Sequence, residues 1–172
     1  MASDPNISKR EKVGARHRGR EFCLALLYAA DSGSSPLSDA FQHAETVLDS
    51  LSEEWQLEPD EARKLRPAVN RFGRRLCEQF ILHHEEVDQR IEALAQGWTL
   101  DRMPVVDRNL LRMALAELLY LPDIPLGATI DEAVDLAKAY GTAESSKFIN
   151  GILGAVAREL PDKRPATPTE AD

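Results

Sequence analysis

The chain has 172 residues, 43% of them hydrophobic and 29% charged, with a formal net charge of −8. That length and apolar content suffice for a packed core in one domain or two small subdomains. No run approaches the roughly 18 apolar residues of a membrane span, and the polar start MASDPNISKREK lacks the apolar stretch of a secretory signal, which implies a cytoplasmic protein. Cys23 and Cys77 fall in apolar helical stretches with no C-x-x-C partner, so reduced core residues are expected rather than a disulfide or a metal pair.

Charge is unevenly placed. Residues 1–20 carry Lys9, Arg10, Lys12, Arg16, Arg18 and Arg20 against Asp4 and Glu11, net +4, which leaves −12 for the rest. A basic arm over residues 1–15 on an acidic body would concentrate on a polyanion. Its polar composition equally fits a solvated, disordered terminus.

In chain order, an amphipathic helix runs from Arg16 through Ala30, with Phe22, Cys23, Leu26, Leu27 and Ala30 on one stripe, and DSGSSP ends it. Arg20, Leu24 and Tyr28 form an i, i+4, i+8 row on its flank. A cation and an aromatic on one row suit single-stranded RNA, although Tyr28 alone reads as a core edge. A second helix spans Leu37 to about Leu51, with Phe41, Ala44, Val47, Leu48 and Leu51 inward. The loop SEEWQLEPDE follows, then a third helix from Glu61 through Ile81, delayed or kinked by Pro67. Its Arg63, Lys64, Arg66, Arg71, Arg74 and Arg75 read as a charged face. His83-His84-Glu85-Glu86 marks a junction without metal-ligand order, and Val87, Ile91, Leu94 and Ala95 make a fourth helix closed by Gly97.

Pro104 enters a helix to Tyr120 that is apolar on more than one face, the pattern of a central helix. Asp107, Arg108 and Arg112 mark its polar edge, and Glu117 sits alone among apolar neighbours. Thr129 is expected to cap the next helix, which carries Ile130, Ala133, Val134 and Ala137 inward and ends at Gly141 in the left-handed conformation. Thr142 is expected to cap the last helix, which continues through Phe148, Ile149, Ile152, Leu153, Val156 and Leu160. Ser145, Ser146 and Lys147 at its start either receive a phosphate or form a plain capped terminus. Phe148 is either core or a stacking surface, and Gly151 with Gly154 suggests a close helix crossing. The tail 161–172 is expected to be disordered. No segment has strand periodicity, so the chain is all-α with about seven helices. GTAESSKF lacks the second glycine and the Ser or Thr of a phosphate-binding loop, and no enzymatic machinery is implied.

Trp98, PVVDRNLLRMALAEL, IPLGATIDEAVDLAKAYGTAESSKFINGIL and the N-terminal RHRGREFCLALLYA resemble the NusB family of bacterial transcription antitermination factors. The likeness runs without a gap over residues 98 to 157, and KFINGIL is close to the family's K-F-V-N-G-V-L. It implies a non-enzymatic domain over residues 16–160 made of two small packed helical bundles, about 16–84 and 85–160. It further implies binding, together with the ribosomal protein NusE, to boxA single-stranded RNA of ribosomal RNA leaders, in a complex with NusA, NusG and RNA polymerase. Carried over by position, Arg16, Arg18, Arg20, Tyr28, Glu144, Ser146, Lys147 and Phe148 would contact RNA. Asp107 would lie near both RNA and NusE, and with Arg108 and Glu117 would serve the protein partner. The resemblance implies no cofactor and no metal, and a monomer or homodimer. The rival readings are the RNA-binding module of a ribosomal RNA methyltransferase, whose catalytic segment this chain lacks, and a helical protein-interaction scaffold.

Overall fold

A computed structural model describes residues 14–161, so the expected basic arm up to Val13 and the tail from Asp162 lie outside the described residues. Those residues fold as α1 (Ala15–Ser32), a 3-10 turn (Leu37–Asp39), α2 (Ala44–Glu54), α3 (Pro59–Leu94), a 3-10 turn (Leu100–Arg102), α4 (Val105–Tyr120), α5 (Leu126–Tyr140) and α6 (Ser145–Glu159). No strand occurs among them, and no helix is long and apolar enough to cross a membrane. The expected third and fourth helices are the two parts of α3, which meet at non-helical His83 (φ −116°, ψ 20°), so the described residues hold six helical runs, or seven helices when α3 is divided there. The chain divides into two compact units between Ile81 and Leu82.

Unit 1 holds α1, α2 and the first part of α3. Its core is built from Phe22, Leu26 and Leu27 of α1, Leu48 of α2, and Leu76 and Phe80 of α3, each at most 1% exposed. Burying one such side chain contributes about 1.5–3 kcal/mol. α1 and α3 touch through glycine: a Cβ on Gly73 would lie 2.8 Å from the Gly19 carbonyl oxygen and 2.6 Å from Cδ1 of Phe22. The expected crossing at Gly151 and Gly154 is not there. A Cβ on Gly151 meets nothing within 4 Å, and one on Gly154 meets only Arg158 at 3.6 Å.

Three boundaries differ from expectation for local reasons. The second helix begins at Ala44, because Asp39, Ala40 and Gln42 each bond back three residues and keep the preceding stretch in tight turns. α3 begins at Pro59, so Pro67 lies inside it, on an exposed face. The basic residues of α3 are a stitched face: Arg66 donates to Glu45 at 2.7 Å and to Asp49 at 2.6 Å, while Arg74 stacks 5.1 Å over Phe41. The bonds to Glu45, then Asp49, raise the Arg66 pKa and hold its charge.

Unit 2 is centred on α4, as its two-sided apolar pattern predicts. Leu110, Leu111, Leu115 and Ala116 are 0% exposed, and α4, α5 and α6 pack on one another. Gly97, at φ +86°, turns the chain after α3 in a conformation that favours glycine. Near the start of the unit, His83 stacks on Tyr120 at 3.7 Å and the Tyr120 hydroxyl donates to Glu86 at 2.6 Å. Burial, then the hydrogen bond to Glu86, pushes the Tyr120 pKa up to about 12.

Candidate nucleic-acid interface

The residues expected to contact RNA fall into two groups, one in each unit. In unit 1, Arg16 is exposed with its guanidinium 5.9 Å over the Phe72 ring. Arg18 and Arg20 are only 3% and 4% exposed. Arg20 stacks 5.3 Å over Phe72, and Arg18 stacks 4.8 Å over Trp55. A planar guanidinium tolerates such burial against an aromatic face, where an ammonium would not. Trp55 in turn donates its indole N–H to Glu21, whose other oxygen faces His17 at 3.0 Å. Burial lowers the Arg18 pKa, while the charges of Glu21 and Glu61 raise it.

These contacts place two of the expected α1 cations inside the unit. Arg18 and Arg20 are packing elements of unit 1 rather than surface cations, and the Arg20–Leu24–Tyr28 row turns inward at its first two members. Of the four expected residues, Arg16 and the 43%-exposed Tyr28 lie at the surface.

In unit 2 the second group surrounds the start of α6. Ser145 is buried at 1% exposure; its Oγ accepts the Thr142 backbone N–H at 2.8 Å and donates to Oδ1 of Asp107 at 2.7 Å. Ser145 is therefore committed to a structural bond, and of its neighbours Ser146 is half-buried and Lys147 exposed. Gly141 is extended at φ −92°, ψ −169°, not left-handed. It is glycine for space: a Cβ there would sit 2.5 Å from Oγ of Ser145 and 2.7 Å from the Ala137 carbonyl oxygen.

The expected partner residues lie deeper than their polar character suggests. Glu117 is 0% exposed and accepts the Thr129 hydroxyl at 2.7 Å, which removes it from any partner surface. Thr129 consequently tethers α5 to α4, and α5 starts earlier, at Leu126. Asp107 is 5% exposed and holds Ser145. Arg108 reaches the carbonyls of Leu100 and Met103, both at 3.4 Å, and so fixes the turn before α4.

One exposed residue was not assigned from the sequence. Trp98, 53% exposed, shares two adjoining concavities with Glu144 and half-buried Phe148. The larger, of about 520 Å³, also reaches Lys147; the smaller, of about 230 Å³, has Asp107 and Thr142 in its lining. Among the described residues no group of three His, Cys, Asp or Glu side chains is placed to hold a metal.

The NusB family model matches residues 17–158. The chain belongs to the NusB family. A transcription antitermination protein NusB of Heliobacterium modesticaldum is 44% identical over 87% of this chain and 66% of its own length. That of Myxococcus xanthus is 40% identical over 86% of this chain and 98% of its own length. A chain in the crystal structure of antitermination factors NusB and NusE in complex with dsRNA superposes with a TM-score of 0.62 at 27% identity, covering 85% of this chain and 98% of that one. NusB proteins are transcription antitermination factors, not enzymes.

Proposed function

We propose that this NusB-family protein acts in the cytoplasm as a transcription antitermination factor. In this reading it binds boxA single-stranded RNA of ribosomal RNA leaders jointly with NusE and promotes read-through by RNA polymerase in a complex with NusA and NusG. The observation that carries the proposal is the 40% identity to the Myxococcus antitermination protein over 98% of its length. The solved assembly of family members with NusE and RNA supports the choice of partners.

The local chemistry divides the work. Arg16 and Lys147 supply phosphate attraction, and Tyr28 and Phe148 supply π faces at about 1–3 kcal/mol per stacked base. Ser146 adds a hydroxyl beside Lys147 at the helix start, and Glu144 supplies a carboxylate. Arg18 and Arg20 act through packing, by fixing the α1 surface that carries Arg16. Asp107 and Arg108 set the α4 entry that NusE would meet. The acidic body complements a basic partner, which speeds encounter and fixes orientation.

Fluorescence anisotropy of a short boxA RNA and a scrambled control, each with and without NusE, tests the reading. Binding that NusE tightens for boxA alone supports it. Failure of both RNAs to bind at low salt with NusE present overturns it in favour of a helical protein-interaction scaffold.

A further inference from the structure

The small concavity of unit 2 has a chemistry that the general reading leaves unused. Its lining residues include exposed Trp98 and half-buried Phe148, together with the polar residues Glu144, Asp107 and Thr142. Asp107 Oδ1 is already taken by Ser145, whereas Glu144 is exposed at the rim. Lys147 stands on the adjoining larger groove with the same Trp98, Glu144 and Phe148. Flat apolar walls ask for a π face, a carboxylate asks for N–H donors, and a cation alongside asks for an anion within one residue's reach.

A nucleotide supplies all three, and the carboxylate selects among bases. A carboxylate only accepts hydrogen bonds. Uracil flanks its single ring N–H with two carbonyl oxygens, and adenine and cytosine place a ring acceptor next to their amino groups, so each sets a lone pair against the carboxylate. Guanine alone presents two adjacent donors, N1–H and the 2-amino group, on its Watson–Crick edge, where a carboxylate accepts from both. We propose that this concavity is a guanine-reading subsite in which Trp98 stacks one unstacked base, Glu144 accepts its N1–H and 2-amino group, and Lys147 meets the neighbouring phosphate. The inference rests on the RNA-binding reading above. An arginine of a protein partner also stacks and forks onto a carboxylate, but Lys147 on the same rim would repel it.

The test uses the full chain and labelled oligouridines carrying one guanine, one inosine or one adenine at a central position, measured by anisotropy without NusE. Inosine keeps N1–H and loses only the 2-amino group. The wild-type chain is expected to prefer the guanine oligomer over the inosine one by about tenfold. Trp98→Ala should weaken guanine binding by about tenfold, while Trp98→Phe retains most of it. Glu144→Gln should collapse the guanine-to-inosine ratio by weakening guanine binding, because the amide sets a donor where the carboxylate offers its second acceptor. Trp98 is more than half exposed, so melting of Trp98→Ala should match wild type. RNA binding with no guanine preference, or a preference that survives both Trp98→Ala and Glu144→Gln, overturns the subsite while leaving RNA binding intact. Loss of NusE binding in Trp98→Ala with unchanged guanine preference overturns it in favour of a protein side chain. No binding of any RNA by the wild-type chain, with or without NusE, overturns the RNA-binding reading and the subsite together.

Discussion

At Gly141 the missing side chain lets Ser145 fold back under the end of α5, its Oγ 2.5 Å from where a Cβ would stand. The Ala137 carbonyl, 2.7 Å from the same point, belongs to backbone and has little room to move. Gly141→Ala should therefore cost about 1–3 kcal/mol, the usual range for overpacking, and lower the melting temperature. Weaker RNA binding should accompany it, since Thr142 and Glu144 would shift with Ser145. The hinge itself was legible in the sequence from the break in the apolar stripe, but its cause was not, because the crowding comes from a folded contact rather than from local backbone preference. Glu117 illustrates the same limit: a lone carboxylate in an apolar run announces a buried partner without saying that Thr129 is it. The burial of Arg18 and Arg20 was not legible for the opposite reason, since arginine is rarely so buried and the aromatic faces they stack on, Trp55 and Phe72, are distant in sequence.

Among the helices, the α1–α3 crossing depends on two glycines that helix propensity disfavours. Alanine at Gly73 would gain up to about 1 kcal/mol of intrinsic helix propensity. It would also press a methyl group to 2.8 Å from the Gly19 carbonyl and 2.6 Å from Phe22. Packing should win, so Gly73→Ala is expected to destabilise the protein in urea unfolding despite raising the helicity of the isolated segment. A more stable variant would show that the helices slide apart at no cost. The helices were legible from apolar periodicity and their ends from Gly97 and the prolines. The crossing was expected instead at Gly151 and Gly154, because glycines three residues apart look like a contact face whether or not another helix covers them.

Across the whole molecule, charge separates the roles that the family likeness suggests. With −12 beyond residue 20, the proposed phosphate attraction would depend on a few surface cations, of which Lys147 is exposed beside the aromatic concavities. Lys147→Ala should flatten the slope of log affinity against log salt by about 0.7 on single-stranded RNA, and an unchanged slope would remove Lys147 from the interface. The all-α class and the family were readable from the chain. Trp98 as a candidate surface was not, because an aromatic left in solvent looks like a core aromatic until its neighbours are placed. The Gly19–Gly73 contact also bears on how the molecule comes together in time. In unit 2 α4 packs on α5 and α5 on α6 across short loops, and α6 also returns to α4. In unit 1 the tight crossing joins α1 to a helix beyond α2, and such a contact must close a long loop before any of its packing is gained. The two glycines that make this contact possible also lengthen the search for it by loosening both helices beforehand.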